Sequence, residues 1–136
     1  MVSRQRRHWR TAATVLAAAL LLAGCTQPSM TRDQWWELVV KADRPVLVEF
    51  SRPECSGCKV LGPRLAMMAT EYGDRVGFFK INTNTSWDLV EQNNIRRLPA
   101  VLLFINGRET KRWEGVLDIA PYRKAVNEAL DGKAAK

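Results

Sequence analysis

Scarcity narrows the possibilities at the start. The 136-residue chain has one histidine, His8, and three cysteines, Cys25, Cys55 and Cys58. A structural zinc site takes four ligands drawn mainly from these two residue types. His8 and Cys25 fall in or at the edge of a segment that reads as targeting, so the pair at 55 and 58 has no second pair to complete a metal site. A long apolar run is also missing. Ala12 to Ala23 is an unbroken stretch of only twelve residues, against the roughly 20 needed to cross a bilayer as a helix. There is no internal repeat, no low-complexity tract and no stripe of interleaved basic and aromatic residues, so a nucleic-acid partner is not expected. The formal charge of +7 does not alter this: without the four arginines of residues 1–24, 17 basic residues face 14 acidic ones, a balance of +3.

The N-terminal stretch is informative in itself. Arg4, Arg6, Arg7 and Arg10 make a basic start, the apolar run follows, and Leu22-Ala23-Gly24-Cys25 closes it in the manner of a bacterial lipobox. The expectation is a signal peptide over 1–24, lipid on the Cys25 sulfur, a short tether over 25–30, a domain over 31–131 and a polar tail over 132–136. This would place the protein on the cell envelope, in the periplasm or on the outer face of the membrane. Its partners would be the lipid membrane, envelope proteins with cysteines or disulfides, and a membrane thiol donor of electrons.

The centre of the chain is the stretch from Pro45 to Pro63. Val46, Leu47, Val48 and Phe50 suit a buried strand, and after Cys58 the residues Leu61, Leu65, Met68 and Ala69 recur at helical spacing. The two thiols thus fall where a strand gives way to a helix. Unpaired backbone N–H groups and the helix dipole at that point favour a thiolate on Cys55, with Cys58 tucked against the first turn. That position suits a redox-active dithiol. A static structural bridge is the other reading of the pair.

Around this centre the elements follow in order. Thr31 and Gln34 make a capping box for a helix over about 32–41, with Trp35, Leu38 and Val39 expected inside and Trp36 partly exposed. The helix after the thiols runs from about Cys55 to Tyr72 with Pro63 inside it. Val76 to Ile81 forms the next, parallel strand, and a short helix opens at Thr85-Ser86. Ala100 to Ile105 and Arg108 to Glu114 form a hairpin about Asn106-Gly107. A last helix begins near Asp118, and the chain frays from Asp131.

These residues together resemble the thioredoxin family over almost all of the chain beyond residue 30. Glu49 stands at the position of the family's buried acid, Cys55 and Cys58 at its dithiol, Lys59 after it, and Pro63 at the helix proline. Lys80 stands at the strand lysine, Arg96 and Leu98 precede Pro99 at the cis proline, and Asn106-Gly107 and Gly115 complete the pattern. The resemblance implies an α/β fold with a central mixed sheet flanked by helices. The first edge strand is expected to be missing or reduced, because so few residues precede the first helix. It also implies a monomeric thiol:disulfide oxidoreductase, acting as a reductant, that needs no cofactor beyond the Cys55–Cys58 disulfide.

In such an enzyme Cys55 attacks, Cys58 resolves, and Glu49 beneath Cys58 takes its proton, with Lys80 paired to the acid. Pro99 faces the thiols, leaving the backbone of Leu98 to hold an extended peptide beside Ser56 and Gly57. Four departures from the family pattern stand out. Ser51 and Glu54 replace flanking tryptophans, Ser56-Gly57 replaces Gly-Pro, Glu49 replaces aspartate, and Ala100 replaces threonine. A peroxide-removing enzyme would need another nucleophile upstream, and Ser51-Arg52-Pro53 does not provide one.

Overall fold

The computed structural model describes residues 29–134. The chain enters at Thr31, whose side chain accepts from the Gln34 N–H while the Gln34 side chain accepts from the Thr31 N–H, the capping box expected there. Helix α1 covers Arg32–Trp35 and passes directly into a π-helical turn, Trp36–Val40. That turn corrects the expected core. Each residue advances the helix by a smaller angle in a π turn than in an α turn, so Trp35 and Val39 face inward while Leu38 is carried outward and is 42% exposed.

Four strands make the sheet among the described residues: β1 (Val46–Ser51), β2 (Gly77–Asn82), β3 (Ala100–Ile105) and β4 (Arg108–Glu114), in the order β2-β1-β3-β4. β1 and β2 are parallel, with Glu49 in register with Lys80, and β1–β3 and β3–β4 are antiparallel. A parallel pair needs a crossover, which helix α2 (Ser56–Tyr72) supplies with the short 3₁₀ turn Gly73–Arg75. The mixed sheet flanked by helices is the architecture expected, with no strand ahead of α1 among the described residues.

β1 lies at the centre and is buried along its whole length. Because side chains alternate across a strand, Val46, Val48 and Phe50 join Trp35, Val39 and the short helix α3 (Trp87–Gln92) on one face. Leu47 turns to the other face, against Leu61, Leu65 and Met68 of α2 and Tyr122 and Val126 of helix α4 (Ala120–Ala134). Each such large side chain, when fully buried, contributes roughly 1.5–3 kcal/mol. The β3–β4 turn has positive φ at both Asn106 (52°) and Gly107 (73°), as a two-residue hairpin requires. A Cβ on Gly107 would also collide with the Val40 carbonyl, so this turn is seated on the end of the first helix. α4 continues to Ala134 rather than fraying from Asp131.

Candidate active site

β1 delivers Glu49 and Ser51 to the face covered by α2, and the chain then loops through Arg52–Glu54 to the start of that helix. Cys55 is the N-cap, in extended conformation (φ −80°, ψ 109°), and its Sγ accepts from the Cys58 N–H at 3.1 Å. Cys55 and Cys58 are joined in a disulfide with Cα atoms 5.2 Å apart. Their exposure differs: Cys55 is partly exposed at the mouth of the helix, whereas Cys58 is 2% exposed with a turn of chain over it. The Cys58 N–H donates to the Cys55 sulfur at the N-terminus of α2, an electrostatic setting that favours a thiolate there once the bridge opens.

Four other predicted residues, Ser56, Gly57, Leu98 and Pro99, lie near the pair. Pro99 is buried, its bond to Leu98 is cis, and its ring lies so close to Gly57 that a Cβ there would stand 3.1 Å from Pro99 Cδ. Ser56 is exposed on the free end of the helix, and Leu98 is partly buried. One wall of this groove was not anticipated. Leu117 comes within 3.4 Å of the same Gly57 Cβ position, and its carbonyl accepts from Arg64 Nη1 at 2.9 Å, tying the 116–118 loop to α2. A leucine in an irregular loop and an arginine on an exposed helix face carry no periodic signal.

Glu49 is 4% exposed, and its Oε1 has no hydrogen-bond partner. Burial raises its pKa above the ordinary carboxylate value, and the charge of Lys80 opposes that rise. Glu49 and Lys80 are in register, but they do not make the direct ion pair expected of them. Gly62, another residue passed over in the sequence, faces the space between them: a Cβ there would lie 3.3 Å from Lys80 Nζ and 3.7 Å from both Glu49 oxygens. A glycine just before a helix proline was the available signal. Tyr122 is a third. Its hydroxyl donates to the Val116 carbonyl at 2.6 Å, and its pKa is pushed up to about 12, first by burial and then by the negative charges of Glu49 and Asp118.

Two positions expected to border the approach to the thiols behave differently. Glu54 is exposed and receives a hydrogen bond from Asn84 Nδ2 at 3.2 Å; bonding to its own backbone N–H and to Asn84 lowers its pKa. Ser51 is 2% exposed, because β1 continues through it and turns its side chain inward, so it does not line the approach.

A mixed sheet that presents a disulfide at a helix N-terminus, one sulfur accessible and the other covered, defines a protein equipped for thiol–disulfide chemistry. The chain belongs to the thioredoxin family, whose sequence profile matches residues 27–128. It is similar to the M-type chloroplastic thioredoxin of Spinacia oleracea, 36% identical over 89 residues, 65% of this chain and 48% of that protein. To the M-type chloroplastic thioredoxin of Brassica napus it is 37% identical over 102 residues, 74% of this chain and 58% of that one. The chain therefore spans about half the length of these relatives. Among solved structures, the thioredoxin of Malassezia sympodialis matches with a TM-score of 0.67 and 25% identity, over 74% of this chain and 87% of the other.

These relatives correct the expectation of a lipid-anchored envelope protein. They are thioredoxins named as chloroplastic, not bacterial lipoproteins. The periplasmic or membrane location, the membrane thiol donor, the envelope partners and the attachment through acylated Cys25 are therefore withdrawn. The physical reason is the weakness of the signal: a basic start, a short alanine- and leucine-rich run and four residues ending in cysteine are features that different targeting segments can share. Cys25 and the proposed signal segment lie outside the described residues. Among the described residues no helix is long and apolar enough to cross a membrane.

Proposed function

We propose that the protein reduces disulfides in other proteins. The observation that carries this reading is the unequal exposure of the two sulfurs at the start of α2. In the reduced protein the Cys55 thiolate attacks one sulfur of a substrate disulfide, forming a mixed disulfide and releasing the other substrate sulfur as a thiolate. Cys58 then loses its proton to Glu49 and attacks the Cys55 sulfur. The second substrate thiolate leaves and the Cys55–Cys58 disulfide is restored. Two electrons pass to the substrate, and an external dithiol must reduce the bridge before the next cycle.

Glu49 suits the proton transfer because burial keeps its pKa above that of an exposed carboxylate, nearer to working pH. Lys80 keeps its charge close enough to oppose that rise. Gly57, Pro99 and Leu117 offer an apolar groove beside the sulfurs, with Ser56 at its rim and the Leu98 backbone available to an extended peptide. The test is insulin reduction followed by turbidity with dithiothreitol as the dithiol. The protein should accelerate precipitation, and Cys55→Ser should abolish the acceleration. A wild-type rate equal to that of dithiothreitol alone would refute the reading.

A further inference from the structure

A cavity of about 260 Å³ lies between α2 and β2, and Gly57, Pro99 and Leu117 are not among the residues that line it. It exists because α2 presents Gly62, Ala66 and Ala69 toward the strand, and none of these side chains is long enough to fill the gap. Leu47, Leu65 and Phe78 give it apolar walls. Its polar content is confined to one end. There Glu49, 4% exposed, has Oε1 unpartnered, and Lys80 Nζ approaches the same empty spot, since both lie within 3.7 Å of the position a Gly62 Cβ would occupy. Among the described residues Lys80 has no ion-pair partner.

We propose that this cavity is a binding site for a small neutral carboxamide carried on an apolar ring, its N–H donated to Glu49 Oε1 and its carbonyl oxygen accepting from the Lys80 ammonium. The two ends of the amide match the two side chains at once. A carboxylate gains from Lys80 but meets the acid of Glu49, and an ammonium gains from Glu49 but meets Lys80, so only a group with a donor and an acceptor satisfies both at once. The volume sets the size. At about 30 Å³ per water the space equals roughly nine waters, which accommodates a phenyl ring with its amide and is below the ~300–1,000 Å³ range of pockets for larger ligands.

Benzamide is the probe, titrated into the full-length oxidised protein with backbone amide chemical shifts as the readout. Binding is measured with the disulfide closed, so the result stands apart from the proposed reductase activity. Saturable shifts are expected at Gly62, Ala66 and Phe78–Lys80. Benzoate, benzylamine and toluene should each bind at least about tenfold more weakly, the factor that losing a hydrogen bond to a charged group implies. Lys80→Met, which keeps the stem and removes the donor, should weaken benzamide by a similar factor. Ala66→Phe fills the mouth from an exposed position and should abolish the shifts; Gly62→Leu tests the same space from inside. The proposal is overturned if benzamide gives no saturable shifts at these amides, if Ala66→Phe binds it as well as the wild type, or if toluene or either charged analogue binds as tightly.

Discussion

Replacing Glu49 by glutamine should stabilise the protein, and more so as pH rises. Glu49 is 4% exposed with one oxygen unpartnered, and leaving a buried polar group unsatisfied costs about 1–3 kcal/mol, more when it is charged. Its pKa is raised from 4.5 by burial, against a smaller opposing effect of Lys80. Between the unfolded value and the raised native one, the native state therefore holds a proton that the unfolded state has released. The stability linked to this group is fully present below the unfolded pKa and is lost as pH rises through the folded pKa.

Glutamine has nearly the same shape and never ionises, so Glu49→Gln should escape that loss. The variant should gain on the order of 1–3 kcal/mol at about pH 8. In a domain of this size that corresponds to roughly 4–8 °C in Tm per kcal/mol, and the gain should shrink toward about pH 4. Urea denaturation of the oxidised protein across this range measures it, with unchanged slopes required for a fair comparison. A variant less stable at the alkaline end, or a difference independent of pH, would refute the account of Glu49 as a buried, incompletely partnered acid. The same substitution should slow the resolving step, so stability and turnover should move in opposite directions.

Other outcomes follow from individual contacts. In the reduced protein Cys55 should be alkylated before Cys58 and should titrate below the free-thiol value of about 8.5; mass spectrometry of the labelled peptides over a pH series checks both, and first reaction at Cys58 would reverse the assignment. Gly107→Ala should destabilise by more than about 1 kcal/mol, because it adds a positive-φ penalty to a collision with the Val40 carbonyl; thermal unfolding reads this, and a neutral result would mean the turn is not seated as described. Arg64→Ala removes the tie to the Leu117 carbonyl, a hydrogen bond worth about 1.5–3 kcal/mol with a charged donor. Amide exchange at 116–118 should quicken and KM for a protein disulfide should rise more than kcat falls, whereas unchanged exchange would show that the loop holds itself. Tyr122→Phe should cost about 1–3 kcal/mol by leaving the Val116 carbonyl without its donor, as urea unfolding would show, and an unchanged midpoint would mean water replaces it.

The elements were legible in the sequence where physical chemistry speaks locally. The Thr31–Gln34 box, the apolar strand at 46–50, the Asn106-Gly107 turn and the periodic residues Leu61, Leu65 and Met68 each carry their own instruction. The disulfide was legible where residue type and spacing coincide, at Cys55 and Cys58, and the burial of Glu49 followed from the resemblance and from its apolar neighbours. Leu38 misled because α-helical spacing was assumed, and a π turn rotates it to solvent. Ser51 misled because a position known by resemblance does not fix which way a strand's side chain points. Gly62, Arg64, Leu117 and the hydrogen bond made by Tyr122 were missed for a common reason: each acts across a gap that only tertiary packing creates. The N-terminal motif was over-read because a few residues of common composition were made to carry a location.

The central claim, that Cys55 attacks and Cys58 resolves, is tested most directly by trapping. Reduced Cys58→Ser and Cys55→Ser proteins are each mixed with a disulfide-containing protein substrate, quenched with acid, and run without reductant. The account predicts that Cys58→Ser accumulates a mixed disulfide through Cys55, releasable by dithiothreitol, while Cys55→Ser accumulates little because its remaining thiol is covered. Equal capture by the two variants, or greater capture by Cys55→Ser, would contradict it.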